Sequence, residues 1–293
     1  MNLVRTFADA RAGYEGIVAL VPTMGFFHEG HLALMTAAEH SADTVVVSHF
    51  VNPLQFDSPA DLERYPKDLE RDMAIATEAK VDILFTPTSA EMIPQPLLTT
   101  VTVDGLTDSM EGLMRPGHFS GVATIVAKLF AGLQPHLAFF GRKDAQQLAL
   151  IRRLAVDLSF PVRVIAHPTV RESDGVALSS RNTLLTTDER HAARELSSGL
   201  FAAAAAAEVG ERNGRQLEKI VSSALQLSRP DYVELASQDR VERLDELDRP
   251  AFLAVAARVG KVRLIDNVAF DLVAGEVVAD RGIRLEHPSL LYR

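Results

Sequence analysis

The sequence predicts an α/β protein: a doubly wound parallel sheet followed by a smaller α+β domain. Three observations predict it. Short apolar, partly β-branched runs recur at 17–21, 44–51, 81–85, 136–140 and 162–166. Helix-compatible stretches lie between them, as in βαβ units. Past residue 170 the alternation stops, and helical patterns at 187–209 and 216–228 precede strand patterns at 231–236, 251–259 and 262–266.

In chain order, residues 3–12 read as a leading helix. The strand at 17–21 is broken by Pro22-Thr23-Met24-Gly25, and a helix follows from about 30 to 41. The strand at 44–51 ends in Asn52-Pro53. Strand, helix and strand at this spacing make a βαβ unit, whose two strands should be parallel and buried. Residues 60–79 carry apolar positions at helical spacing, and the strand at 81–85 closes at Thr86-Pro87. Residues 98–103 read as a fourth, more exposed strand. A mostly apolar helix spans 122–133, the strand at 136–140 runs into Gly141, and a helix at 145–158 leads to the strand at 162–166. These elements define a Rossmann-like domain over 1–172 and a smaller domain over 173–293, joined near 171–174. The stretch 279–293 is rich in charge and turn residues and reads as a loose tail. No internal repeat of fixed period is present.

Composition excludes several classes. The chain has 293 residues, an apolar fraction of 47% and a net charge of −9. An acidic chain is not a general nucleic-acid binder, although a local pocket can still be positive. It has no cysteine, so disulfides, thiolate metal sites and thiol nucleophiles are out, and a reducing cytoplasm is the expected setting. No uncharged apolar run reaches membrane-spanning length; the alanine tract at 199–209 is a helix former bounded by charge.

In an open α/β sheet, ligands bind beyond the carboxyl ends of the strands. After the first strand come Thr23, Met24, Gly25, His28 and His31. A strand, a tight turn and a helix start make an anion site, because the first helical N–H groups lack partners and the dipole is positive there. After the second strand come Asn52, Gln55 and Phe56; after the 136–140 strand, Gly141, Arg142, Lys143, Asp144, Gln146 and Gln147. Thr169, Val170 and Arg171 follow the 162–166 strand, with 178–182 (LSSRN) just beyond. Taken singly, each has an ordinary reading: helix-start polar residues, a solvated Lys143–Asp144 pair, turn chemistry at Ser179 and Ser180. Together they supply cations, hydroxyls and amides. The sequence shows no Gly-x-Ser-x-Gly elbow, no phosphate loop ending in Gly-Lys-Ser/Thr and no Gly-x-Gly-x-x-Gly fingerprint. This inventory suits transfer at a polyphosphate, where catalysis is mostly positioning and charge stabilisation.

The motifs carry a resemblance. Thr23-Met24-Gly25 with His28-Glu29-Gly30-His31 resembles the His-x-Gly-His signature of nucleotidyltransferases related to class I aminoacyl-tRNA synthetases. The blocks at 50–56 (FVNPLQF), 65–66 (YP), 111–122 (EGLMRPGHFSGV), 128–130 (KLF), 140–150 (FGRKDAQQLAL), 174–182 (DGVALSSRN) and 264–267 (LIDN) narrow it. In this order and spacing they resemble the pantothenate synthetase (pantoate–β-alanine ligase) family over roughly 17–270.

The resemblance implies a two-step ligation. The pantoate carboxylate attacks the α-phosphorus of ATP to give pantoyl adenylate, and the β-alanine amine then displaces AMP. It implies that Met24, Gly25, Phe26, Phe27, His28, Glu29, Gly30 and His31 line the ATP site, with His31 in a proton-donor role. It places Gly141, Arg142, Lys143, Asp144 and Val170 on the nucleotide and closes Leu178, Ser179, Ser180 and Arg181 over the triphosphate. His28, His31, Lys143 and Arg181 are the catalytic candidates. Gln55 and Gln147 would hold pantoate, with Phe56 on its gem-dimethyl group and Asn52 and Glu111 in the wall. Asp72 would help hold Mg²⁺ through water. The family expectation is a cytoplasmic homodimer with ATP, pantoate and β-alanine as substrates and no nucleic-acid or membrane partner. A closing second domain, with 171–182 as hinge and lid, would shield the labile adenylate from water.

Ala145 stands where the family usually has an aromatic, Arg142 where it more often has Glu or Gln, His49 where it has an apolar residue, and Phe27 where it has Leu or a similar residue. None of these removes a group with an assigned role. Three rivals remain: another nucleotidyltransferase, which would not need the Gln55 and Gln147 blocks; a regulator with a dead site, disfavoured by His28, His31, Lys143 and Arg181 together; and an RNA-charging enzyme, disfavoured by the charge.

Overall fold

The computed structural model describes residues 1–292. It divides into two compact units. The first comprises Met1–Phe140 with Leu150–His167, the second Gly141–Ala149 with Pro168–Arg293. The sequence suggests a single break between 172 and 173. The stretch 141–149 groups instead with the second unit, where the Asn267 side chain holds the carbonyls of Arg142 and Lys143.

In the first unit the elements run β1 (Asn2–Val4), α1 (Phe7–Ala12), β2 (Val18–Thr23), α2 (Glu29–Glu39), β3 (Thr44–His49), α3 (Pro59–Arg64), α4 (Leu69–Glu78), β4 (Ile83–Phe85), α5 (Ser89–Met92), α6 (Met110–Met114), α7 (His118–Leu133) and β5 (Leu137–Gly141). Helix α8 (Ala145–Asp157) then leads to β6 (Arg163–His167). The sheet order is β1-β4-β3-β2-β5-β6. The β2–β3 pair of the predicted βαβ unit is parallel, as are β3–β4, β1–β4 and β2–β5. Order reverses between β2 and β5, so the turn after β2 stands at a topological switch point. One face of the sheet packs Ala19, Val21, Val45, Val47 and Leu84 against Phe27, Met35 and Ala38 of the α2 region. That burial, at about 1.5–3 kcal/mol per large apolar side chain, fixes where α2 begins.

Three readings of this unit change. The leading helix is shorter, because Asn2–Val4 instead pairs with β4 as an edge strand, and Thr6 caps α1 by accepting from Asp9 N. Residues 60–79 form two helices, not one, since Tyr65 before Pro66 takes an extended conformation, as pre-proline residues tend to. Residues 98–103 are not a strand. Val101 N donates to Thr124 Oγ1 and Val101 O accepts from Ser120 Oγ, so helix α7 side chains take the place of a neighbouring strand.

The second unit continues with β7 (Val170–Arg171), α9 (Thr187–Glu208), α10 (Gly214–Ala224), β8 (Arg229–Ser237), β9 (Ala251–Val259), β10 (Val262–Val273), β11 (Glu276–Asp280) and β12 (Ile283–Arg284). An antiparallel sheet of order β11-β10-β9-β8 buries Leu253, Val255, Leu264 and Phe270 with Leu196, Leu200, Ala203 and Ala204 of α9. The alanine tract is thus a core face, and a Thr186–Glu189 capping box starts its helix. The expected loose tail is folded through residue 292. β12 pairs in parallel with β7, Ser289 and Leu291 are buried, and Tyr292 Oη donates to Glu172 Oε1 at 3.2 Å.

Candidate active site

In the first unit the site grows out of one turn. Chain leaving β2 reaches Gly25 and Phe26, both with positive φ (+86° and +54°). A Cβ on Gly25 would sit 2.4 Å from His49 Nε2 and 3.0 Å from Asp72 Oδ2, so both the backbone conformation and the space demand glycine. The turn then delivers His28 as the N-cap of α2.

The two histidines cap their own helix. His28 Nδ1 accepts from Gly30 N at 3.1 Å, and His31 Nδ1 accepts from His28 N at 3.3 Å. Their rings stack with centroids 4.1 Å apart. A ring nitrogen that accepts an N–H is unprotonated, so each neutral ring carries its proton on Nε2. Both imidazoles are thereby oriented as Nε2–H donors at a helix N-terminus. Neither sequence spacing nor motif reveals this tautomer.

Asp72, on α4, is completely buried. Its Oδ2 accepts from Phe26 N and its Oδ1 from Phe27 N, each at 2.7 Å, while His49 Nε2 lies 2.8 Å from Oδ2. Burial works to raise its pKa, but the hydrogen bonds from His49, Phe27 and Phe26 outweigh it and hold the carboxyl below the ordinary range. Next to it, Arg71 donates to Phe27 O at 2.9 Å and stacks on the Phe26 ring. The enclosed carboxylate clasps the turn, a structural role beside the water-mediated metal role implied for Asp72. Among the described residues no cluster of three His, Asp or Glu side chains is arranged to hold a metal ion. His49, a departure from the family pattern, is the second half of this clasp.

Gln55 ends a short 3-10 turn, Pro53–Gln55. The buried Asn52 donates to Gln55 Oε1 at 2.9 Å and to Gly121 O at 3.1 Å, and accepts from Leu54 N. Asn52 thus orients the Gln55 amide with its oxygen engaged. A Cβ on Gly121 would lie 2.3 Å from Leu54 O; glycine lets the turn lie against α7. Arg115 and His118, to which sequence reading gives no role, both grip Gln55 O, at 3.1 and 2.8 Å. Burial and the neighbouring Arg115 charge push the His118 pKa down, so it stays neutral and donates through Nδ1. Phe56 packs edge-on against Tyr65. Glu111 is buried on α6.

In the second unit Lys143, Ser179 and Arg181 line one pocket, with Ala177 and Asp266. Lys143 Nζ is 3.6 Å from Asp144 Oδ1. Arg142 NH1 lies 3.2 Å from Asp280 and 3.8 Å from Asp271. Val170 and Leu178 are buried and joined by the bond from Leu178 N to Val170 O, so the structure uses their backbones in local pairing. Ser179 Oγ accepts from Arg181 N and leaves Arg181 exposed. Asn182 is buried, donating to Glu172 Oε1 at 2.7 Å and to Ala177 O. Glu172 and Asp174 in turn share Arg190. Gln146 is buried and Gln147 half-buried at the start of α8.

A parallel sheet with a His-capped, anion-receptive helix at its switch point defines an α/β ligand-binding class. The comparisons make it specific. The sequence profile of the family "Pantoate-beta-alanine ligase" matches residues 1–269. A pantothenate synthetase of Roseiflexus castenholzii is 48% identical over 264 residues, 89% of this chain and 95% of that protein. The crystal structure of pantothenate synthetase from Thermus thermophilus superposes with a TM-score of 0.86 at 46% identity, over 91% of this chain and 98% of that one. A pantoate-β-alanine ligase from Francisella tularensis, complexed with β-γ ATP and β-alanine, gives 0.74 at 32% identity, over 91% and 97%. The chain belongs to the pantoate–β-alanine ligase family.

Proposed function

We propose that the chain condenses (R)-pantoate with β-alanine to pantothenate, using ATP and passing through pantoyl adenylate. Family membership supports the overall reaction, and the ATP and β-alanine bound in the Francisella relative support the substrates. The observation that carries the mechanism is the paired histidine cap, which presents two Nε2–H donors beside a positive helix end. A carboxylate nucleophile is already ionised at neutral pH, so adenylation needs no general base. It needs developing phosphate charge to be met by fixed donors. His28 and His31 supply those donors while neutral, so the role given to His31 is a hydrogen bond held through the transition state. Lys143 and Arg181 add full cations. Gln55 and Gln147 bind the pantoate carboxylate and hydroxyls without adding charge. The AMP–pyrophosphate bond breaks as the acyl–phosphate bond forms; in the second step the amine displaces AMP and releases a proton.

ATP brings Mg²⁺ with it in this proposal. The ion would sit chiefly on phosphate oxygens and water, in keeping with its reluctance to dehydrate, and would neutralise phosphate charge. Arg181 is exposed on a 3-10 turn, Ser180–Leu184, and Ser179 and Ser180 beside it are half-buried, so this stretch is the proposed closing part of the lid. A homodimer and a cytoplasmic setting complete the proposal; the absence of cysteine supports the latter. Among the described residues, no helix is long and apolar enough to cross a membrane. The deciding assay is pantoate-dependent exchange of pyrophosphate into ATP. No exchange from folded protein with Mg²⁺ and pantoate would overturn the reading.

A further inference from the structure

The block 264–267 stands in the sequence without a chemical role, yet it is among the most tightly bonded parts of the second unit. Asn267 Nδ2 donates to Arg142 O at 2.9 Å and to Lys143 O at 2.7 Å. One amide therefore spans both carbonyls of the turn that carries Lys143. Asn267 is itself fixed on either side. Its N–H donates to Asp266 Oδ1 at 2.7 Å, and its carbonyl accepts from Arg171 NH2 at 3.0 Å. Arg171 and Asp266 form a bidentate pair at 2.6 and 3.0 Å, and all three residues are buried.

Arg171 is the largest fully buried side chain among the described residues. Its five N–H donors match the five bonds observed: to both Asp266 oxygens and to the carbonyls of Asn267, Gly175 and Arg281. A buried ion pair is a poor source of net stability, but one with every donor engaged holds its surroundings in a single geometry. What it holds here is the backbone of Asn267. The same Arg171 reaches Gly175 O, in the turn that leads to Ser179 and Arg181.

We infer that Asn267, braced by the Arg171–Asp266 pair, is a positioning residue that sets the Lys143 ammonium in its working place. The inference rests on the phosphate-side role proposed for Lys143. Asn267 acts through the two carbonyls it grips. A displacement of that turn by an ångström would cost one to two orders of magnitude in rate.

The test is a double-mutant cycle in the full-length protein, read by pantoate-dependent pyrophosphate exchange with kcat and the KM values for ATP and pantoate. Asn267→Ala should lower kcat/KM for ATP about tenfold and leave the pantoate KM near its parent value. Lys143→Ala should lower exchange further. The double variant should be no slower than Lys143→Ala alone, because Asn267 works only through that side chain. Losses that multiply would overturn the inference. So would an unchanged Asn267→Ala beside a damaged Lys143→Ala, which leaves the proposed function standing. An undamaged Lys143→Ala would remove the phosphate role itself and the inference with it. If Asn267→Ala does not fold, Asn267→Ser, which keeps one donor, goes through the same cycle with the same outcomes.

Discussion

The two turns that carry the proposed chemistry are held by groups of opposite polarity. The turn from Gly25 to His28 presents N–H groups inward, and a buried carboxylate, Asp72, receives two of them. The turn from Gly141 to Asp144 presents carbonyls inward, and a buried neutral amide, Asn267, donates to two of them. The difference shows that the backbone selects its holder: orphaned donors call for an acid, orphaned acceptors for an amide. It also separates their sensitivities. A carboxylate clasp titrates and an amide clasp does not.

The largest expected effect is on the acid. Asp72→Ala strands two buried N–H groups and His49, and should lower unfolding free energy by about 3 kcal/mol, measured by urea denaturation. Asn267→Ala strands carbonyls, which tolerate it better, and should cost less than half as much; equal losses would break the comparison. Close behind comes His31→Ala, which removes one fixed donor and should slow adenylate formation about a hundredfold with the fold intact. Retained exchange would return the histidine cap to a structural feature. Arg181→Ala should lower turnover far more than it changes the pantoate KM, and unchanged turnover would remove that turn from the mechanism.

A pH titration sharpens the contrast. The folded pKa of Asp72 is depressed. Its contribution is therefore fully present above the unfolded value of about 3.9 and is lost as pH falls through the lower folded value. Asp72→Asn should flatten the stability curve on that acid side, whereas Asn267→Ser should shift it without changing its slope. An unaltered acid limb in Asp72→Asn would show that the clasp carries no linked proton. The smallest effect is at the closing segment: Tyr292→Phe loses the hydroxyl that donates to Glu172 and accepts from Arg190, about 1 kcal/mol, read as a small drop in the urea midpoint.

Much of the fold was legible because it is periodic. The βαβ unit announces itself through β-branched runs, and the alanine tract through helix propensity. Edge pairing of Asn2–Val4 and the coil at 98–103 were not legible, since both depend on which distant groups supply hydrogen bonds. The same limit governs the site. The spacing of His28 and His31 reveals a helix start, but their tautomer follows from backbone geometry. The Asp72 clasp was not legible, because an acid on a charged helix looks the same in sequence whether it meets solvent, a cation or two amides. Its partner His49 was visible only as an oddity in an apolar strand. Asn267 lies more than a hundred positions from the turn it holds, and nothing in its sequence neighbourhood signals that grip.

Phe26 has a further consequence. A bulky side chain in the left-handed region costs about 1–3 kcal/mol, and the Asp72 clasp and the Arg71 stack offset it. Glycine at this position would remove the strain and also loosen the approach to His28. A laboratory selection for heat resistance, blind to activity, would therefore be drawn to this position and would accumulate sturdier but slower enzymes. The strained phenylalanine marks a place where thermal robustness and the role proposed for His28 pull the same residue in opposite directions.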